Sequence, residues 1–361
     1  MATRSLAVYV SSHGFGHATR VSEVVKRFLE LVSDRMVHVR ATAPRWLFPT
    51  APGRLHLEAA ATDLGVAQPH GLAIDFAATI ARLDELEAHW DERVAAETEW
   101  LREIGAGLVL GDVPPLAFAA AAHADVPSVA LANFSWDWIY AAYERRDPRF
   151  AVHAKRAGAC YAAAKRLYRL PFHAPAPAFS SLVEVPLIAR RCPLSRQEAR
   201  RRLGLPPTGP LVLLSFGGFG SPAIEVSRFA EMPSVRFVAT DPCPTAPSNL
   251  TILDRPAVDY AMLIRASDVV LTKPGWGILA ASLVNGVRVL YATRDDFPET
   301  PILVRALQTY ATAAPIAPEE VARGEIRLAL EQLLARPVVE TELPATGAAH
   351  VAELLAEDLG A

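Results

Sequence analysis

The chain has 361 residues, of which 51% are hydrophobic, and its formal net charge is −3. A chain of this length can form two domains of ordinary size, while no apolar stretch approaches the roughly 18–20 residues that a membrane span needs. The charge argues against nucleic acid as a partner. Three cysteines far apart in the sequence indicate neither disulfides nor a zinc site, so we predict a cytoplasmic protein without a metal or other cofactor.

The first half of the sequence alternates strand-like and helix-like segments, which is typical of a parallel α/β sheet. The predicted strands cover 6–10, 36–41, 55–60, 108–112 and 128–133. Between and after them we predict a helix that begins at about Ala18, with an apolar stripe at helical spacing, a long charged helix over 79–103 and a helical stretch over 136–168.

A second α/β series begins after a proline-rich passage at 171–177. There Ser195 and Glu198 fit a capping box for a short basic helix that Gly204 ends. The predicted strands cover 211–215, 234–239, 250–253, 269–272 and 287–291. We therefore predict an α/β protein with two Rossmann-like domains, over 1–188 and 189–345, and a last helix within 346–361.

Three glycine-containing loops directly follow predicted strands, at 11–17, 215–220 and 273–277. Ligands of open parallel sheets bind beyond the carboxyl ends of the strands, and glycine lets backbone N–H groups approach an anion closely. A diphosphate is the predicted ligand, although for any one loop a tight turn explains the glycines equally well. The predicted contacts are Gly14, Gly16, Ser215, Gly217, Gly218, Phe219, Gly220, Lys273, Gly275, Trp276 and Gly277.

The first of these loops carries two histidines, of which we assign a chemical role to His17. An imidazole with its ordinary pKa of about 6.5 accepts a proton near neutrality, and it does so best when a carboxylate holds its other ring nitrogen. Asp112, at the end of a predicted strand, is the candidate partner. Two other interpretations stay open: His17 caps the first helix, or Asp112 caps the helix that follows it.

Aromatic residues follow another predicted strand, in Asn-Phe-Ser-Trp-Asp-Trp-Ile-Tyr at 133–140. We predict that Trp136 and Trp138, together with His13, contact an acceptor molecule. The alternative is that some of these rings pack in the core and others close a cleft.

Three motifs together resemble a known family: S-H-G-F-G-H-A-T-R at 12–20, N-F-S-W-D-W-I-Y at 133–140 and S-D-V-V-L-T-K-P-G-W-G at 267–277. They are similar to the glycosyltransferase-like N-terminal domain of plant L-arabinokinase and its free-standing bacterial relatives. More distantly, the chain is similar to the GT-B glycosyltransferases, whose two Rossmann-like domains face a central cleft.

The resemblance implies an inverting, metal-independent glycosyl transfer from a nucleotide-sugar to a hydroxyl of a small molecule or glycan. It implies that the C-terminal domain holds the donor and the N-terminal domain the acceptor, and that the last helix packs back on the N-terminal domain. His17, in a Gly-His pair, would deprotonate the acceptor, and Asp112 would orient it. Asp295 and Asp296 would contact the donor sugar.

One residue departs from the family pattern, because Ala281 stands where many relatives have a glutamate that binds the nucleotide ribose. The departure leaves the base of the donor open and keeps a second hypothesis, a non-catalytic nucleotide-sugar-binding or regulatory module of the same fold. A GT-B epimerase is a third interpretation, for which we can place no catalytic acids. The sequence does not determine the oligomeric state.

Overall fold

A computed structural model of the protein describes residues 4–69, 72–217, 224–243, 245–294 and 296–360. The chain forms two compact units. The first unit comprises Met1–Ala67, Ile74–Ile188 and Thr346–Ala361, and the second comprises Gln68–Ala73 and Ala189–Ala345.

The first unit contains a parallel sheet of seven strands in the order β3-β2-β1-β4-β5-β6-β7. The strands are β1 Ser5–Val10, β2 Val37–Ala41, β3 Leu55–Ala59, β4 Ala106–Asp112, β5 Ser128–Ala132, β6 Arg166–Arg169 and β7 Leu182–Glu184. Every residue of β1 is buried, which is expected of a strand in a parallel sheet that is covered on both faces.

The helices of the first unit differ from the prediction in three places. They are α1 Phe15–Leu31, α2 Phe76–Ala88, α3 Trp90–Glu103, α4 Pro115–His123, α5 Trp136–Tyr143 and α6 Phe150–Tyr161. The first begins three residues earlier than predicted. The predicted helix over 79–103 is two helices, because His89 leaves helical geometry and Asp91 and Glu92 form a new acidic first turn. The predicted stretch over 136–168 breaks before Pro148 and ends in strand β6.

The second unit contains a parallel sheet of six strands in the order β10-β9-β8-β11-β12-β13. The strands are β8 Leu211–Ser215, β9 Arg236–Ala239, β10 Leu250–Ile252, β11 Val269–Thr272, β12 Arg288–Ala292 and β13 Ala313–Ile316. Strand β13 was not predicted.

The helices of the second unit are α7 Arg196–Arg202, α8 Tyr260–Ala266, α9 Trp276–Asn285, α10 Thr300–Tyr310, α11 Pro318–Ala322 and α12 Arg327–Leu334. Ser195 caps α7 as predicted, since its side chain accepts from the Glu198 N–H at 3.2 Å. The last helix, α13 Gly347–Leu359, belongs to the first unit, where it packs against α1. Within the described ranges, no helix combines the length and the apolar character that crossing a bilayer requires.

Each sheet has one point at which the chain reverses the direction in which it adds strands. In the first unit β2 and β3 lie to one side of β1, and β4 lies to the other. In the second unit β9 and β10 lie to one side of β8, and β11 lies to the other. Ligands of open α/β sheets bind beyond the carboxyl ends of the strands at such points, which directs attention to the ends of β1 and β4 and of β8 and β11.

Candidate functional site

His17 and Asp112 meet at the reversal point of the first sheet. Asp112 is the last residue of β4, and His17 lies in the first turn of α1, whose N-cap is Gly14 at φ +82°. The His17 Nδ1 atom is 2.8 Å from Asp112 Oδ1. The Asp112 side chain is completely buried, while 6% of His17 is exposed.

This geometry selects one tautomer of the His17 ring. A carboxylate oxygen at 2.8 Å from Nδ1 requires a proton on that nitrogen, because two lone pairs at this distance repel each other. In the neutral ring Nε2 then carries the lone pair. A histidine held in this way has the arrangement of a general base.

Arg20, which we did not predict, completes the buried cluster. Its Nε donates to Asp112 Oδ2 at 2.6 Å, its Nη2 donates to Asp112 Oδ1, and its Nη1 donates to Asn133 Oδ1 at 2.7 Å. Burial alone would raise the pKa of Asp112, but the charges of Arg20 and then His17, with their hydrogen bonds, outweigh it and lower that pKa. The sequence did contain a signal, because Arg20 stands three residues after His17 and therefore on the same helical face.

A second buried carboxylate, Asp63, fixes the loop that carries the histidines. Its Oδ1 accepts from the Ser12 N–H at 2.7 Å, and its Oδ2 accepts from the indole N–H of Trp136 at 2.8 Å. Burial raises the pKa of Asp63 in spite of these bonds. Asp63 was not predicted, because it lies in a segment without a regular sequence pattern.

His13 packs against Gly65 and Trp136 in the same loop cluster. Its Nδ1 faces the Val66 N–H at 3.4 Å, and its ring meets the Trp136 ring edge to face at 5.2 Å. A Cβ on Gly65, which has φ +67°, would overlap the His13 ring. Glycine at this position therefore allows the close approach that sets the orientation of His13.

The two tryptophans assigned to an acceptor differ in exposure. Trp136 is 1% exposed and stacks on Tyr140 at 5.7 Å, so it occupies the core position that the alternative interpretation gave to some of these rings. Trp138 is half-buried, and Gly16 is exposed. Contact of Trp138 or His13 with an acceptor stays a prediction.

In the second unit, the described part of the glycine loop after β8 comprises Ser215, Phe216 and Gly217. The Ser215 hydroxyl bonds the Tyr260 hydroxyl, and the Ser215 carbonyl accepts from Thr272 Oγ1 at 2.5 Å. Gly217 has φ +86°, a conformation that favours glycine. The predicted contacts Gly218, Phe219 and Gly220 lie outside the described residues, and the next helical element described is a 3₁₀ turn, Val226–Glu231.

Lys273 follows β11 and lies beside the Gly217 loop. A Cβ on Gly217 would be 3.6 Å from Lys273 Cε. Burial, and then the charge of Arg294, lower the pKa of Lys273 to about 7, while Glu299 acts in the opposite direction. Arg294 is 4% exposed, and its Nη2 donates to the Pro274 carbonyl at 2.8 Å. Two basic side chains, Lys273 and Arg294, thus lie at the ends of β11 and β12, and Arg294 also pairs with Glu299 at 3.4 Å.

The remaining predicted donor residues lie at the start of α9 and after β12. Gly275 is the N-cap of α9, whose first residues are Trp276 and Gly277. The indole N–H of Trp276 is buried and has no hydrogen-bond partner among the described residues. Asp296 is half-buried after β12, and Asp295 lies outside the described residues.

The sequence and the fold were compared with those of known proteins. No protein-family model matches the sequence. L-arabinokinase of Arabidopsis thaliana is 33% identical over 331 residues, which are 88% of this chain and 31% of that protein. The chain therefore spans about a third of the length of this curated relative.

Among the solved structures that match nearly the whole chain are two named glycosyl-transferring enzymes. The glycotransferase of kitacinnamycin is 17% identical with a TM-score of 0.66, over 98% of this chain and 99% of its own. Phytolacca americana UGT2, complexed with UDP-2fluoro-glucose and pterostilbene, is 15% identical with a TM-score of 0.61, over 98% and 94%. The chain thus has the fold of the GT-B glycosyltransferases, as the resemblance implied, with two parallel α/β sheets.

Proposed function

We propose that this protein is a glycosyltransferase that moves a sugar from a nucleoside diphosphate donor to a hydroxyl group of a small molecule or glycan, with inversion and without a metal or other cofactor. The observation that carries the proposal is the buried His17–Asp112 contact of 2.8 Å at the reversal point of a GT-B sheet. We also propose that the protein acts in the cytoplasm.

His17 is the proposed general base. Its Nε2 lone pair takes the proton of the acceptor hydroxyl as the hydroxyl oxygen attacks the anomeric carbon and the bond to the diphosphate breaks. Asp112 holds the Nδ1 proton and stabilises the imidazolium that forms. A correctly placed base contributes typically about 10²–10⁴-fold to the rate.

The second unit is the proposed donor site. Gly217 after β8, the N-terminus of α9 and Lys273 are the groups that we assign to binding of the leaving diphosphate. The buried indole N–H of Trp276 is a donor that a bound nucleotide-sugar could satisfy. The structure of a protein with the same fold, Phytolacca americana UGT2, is of its complex with UDP-2fluoro-glucose and pterostilbene, which supports a donor of this class.

The second candidate is a nucleotide-sugar-binding module without transferase activity. It is favoured by Ala281, which offers no carboxylate to the ribose hydroxyls. A lost charged hydrogen bond weakens binding by about 1.5–3 kcal/mol. The match to a part of L-arabinokinase also supports it, because such a part could serve a neighbouring domain.

One experiment separates the two candidates. The full chain is screened by thermal shift against uridine, thymidine, guanosine and adenosine diphosphate sugars, where a donor at a hundred times its Kd adds about 2.7 kcal/mol of stability. Donors that bind are then incubated with a panel of hydroxyl acceptors, and released nucleoside diphosphate is measured with the anomeric configuration of the product. Release with inversion supports the transferase, binding without release favours the module, and the absence of binding contradicts both.

A further inference from the structure

Arg20 connects its own helix, α1, to two other parts of the first unit. It lies on α1, its Nε and Nη2 donate to both oxygens of Asp112 at the end of β4, and its Nη1 donates to Asn133 after β5. Asn133 is itself fixed, since its Nδ2 donates to the Pro171 carbonyl at 2.7 Å. Only 9% of Arg20 is exposed. This side chain therefore has one defined position, below the surface and beside His17 and Asp112, which we call the His17–Asp112 dyad.

The same guanidinium lies against the His17 ring. Its Nη2 is 3.1 Å from His17 Nδ1. Because Nδ1 carries the proton shared with Asp112, this approach is not a second hydrogen bond to the neutral ring. A proton added at Nε2 would give the ring a full positive charge at this short distance from the guanidinium, and like charges in a buried site repel strongly.

We propose that Arg20 is a positioning residue that supplies the buried Asp112 carboxylate with a permanent positive charge, so that this carboxylate does not need a protonated His17 ring as its counter-charge. The inference rests on the proposed function for its consequence in catalysis, but its effect on the ring can be measured in the variants without activity. Without Arg20, the buried Asp112 carboxylate would need another cation, and the His17 ring, already bonded to it, would become that cation.

Two other charged groups lie near the His17–Asp112 dyad, a carboxylate that interacts with His17 and an arginine that interacts with that carboxylate. Asp63, in the segment after β3, interacts electrostatically with His17 and favours a charged ring. Arg93 on α3 interacts in turn with Asp63. The Phe134 ring, which meets the His17 ring edge to face at 5.7 Å, carries no charge. Among these groups, Arg20 carries the positive charge that is hydrogen-bonded to Asp112.

The test compares Arg20→Met with Arg20→Lys and with Arg27→Met, a matched control on the same helix. Arg27 is half exposed and pairs with Glu30, so its loss should change nothing. At one fixed pH, the ring ¹⁵N signals of His17 should shift toward imidazolium in Arg20→Met, and in the other two variants they should match those of the unsubstituted protein. The acid limb of the kcat/KM profile should move up by about one pH unit or more in Arg20→Met, and Arg20→Lys should restore it.

A double variant keeps the test decisive if Arg20→Met does not fold. Arg20→Met with Asp112→Asn removes both buried charges together, and such paired removals are tolerated far better than single ones. The shift of the His17 ring signals toward imidazolium should then disappear. Unchanged ring signals in folded Arg20→Met, or an imidazolium signal in the double variant, would overturn the inference. Failure of the proposed function would show differently, as intact ring signals without any donor binding or transfer.

Discussion

Two ionisable side chains in this protein are buried, and the pKa of each depends on a charged neighbour. Asp112 is ionised although it is completely buried, because Arg20 and His17 contact it directly. For Lys273, in contrast, the neighbouring charge disfavours the ionised form. Its burial and the neighbouring Arg294 lower its pKa to about 7, so that it exchanges its proton within the physiological range.

The pKa of Lys273 predicts how donor affinity depends on pH. Protonated Lys273, which predominates below about pH 7, attracts a diphosphate, and the neutral amine that predominates above it does not. Affinity for the nucleoside diphosphate should therefore fall as the pH rises above 7, by up to about tenfold per unit. Calorimetric titrations at several pH values measure this effect. Lys273→Arg, which stays charged, should bind with little pH dependence, and an equally steep decline in that variant would contradict the assignment.

At the scale of elements, the order of strands brings together residues that are distant in sequence. Strand β4 follows β3 in the chain but pairs with β1 in the sheet. Asp112, at the end of β4, therefore lies beside the first turn of α1. Gly111, just before Asp112, leaves β4 in close contact with α4, since a Cβ there would be 2.5 Å from Phe118 Cζ.

This packing predicts that Gly111→Ala destabilises the first unit and disturbs Asp112. Phe118 is fully buried and cannot move away without displacing Tyr161, against which it packs. Overpacking of this kind costs about 1–3 kcal/mol, measurable as a loss of unfolding free energy in denaturant. Gly158→Ala in α6 is the matched control, because its added Cβ would meet its neighbours at 3.7 Å or more. Equal stability of the two variants would contradict the packing argument.

The elements also show how far the sequence could predict this structure. Long apolar strands such as β1 and β8 follow from their composition, whereas β7 and β13 are edge strands of only three and four residues, too short to show a periodic pattern. His17 and Asp112 were candidates from their positions after strands, and the structure brings them into contact. The Arg20–Asp112 and Asp63–Trp136 pairs join residues 92 and 73 positions apart, and such contacts depend on strand order, which single segments do not encode.

At the scale of the whole molecule, the two units carry different parts of the proposed chemistry. The first has the His17–Asp112 dyad, and the second has the glycine loop, the start of α9 and Lys273. The proposal assigns deprotonation of the acceptor to the first unit and binding of the leaving diphosphate to the second.

This assignment predicts that transfer needs no divalent cation. In the proposed mechanism, backbone N–H groups and Lys273 are the positive groups that stabilise the developing diphosphate charge. The rate of nucleoside diphosphate release should therefore be the same with and without EDTA. A rate that falls with the chelator and returns on addition of Mg²⁺ or Mn²⁺ would contradict the metal-independent mechanism.

The most direct test of the central claim is the turnover of His17→Ala with donor affinity measured on the same preparation. We predict that kcat falls by roughly 10²–10⁴-fold while the Kd of the nucleotide-sugar is unchanged, because the donor is assigned to the second unit. His89→Ala is the control, since His89 is exposed and pairs only with Glu92 among the described contacts, and it should keep full activity. Full turnover in His17→Ala would show that His17 is not the base and would contradict the account.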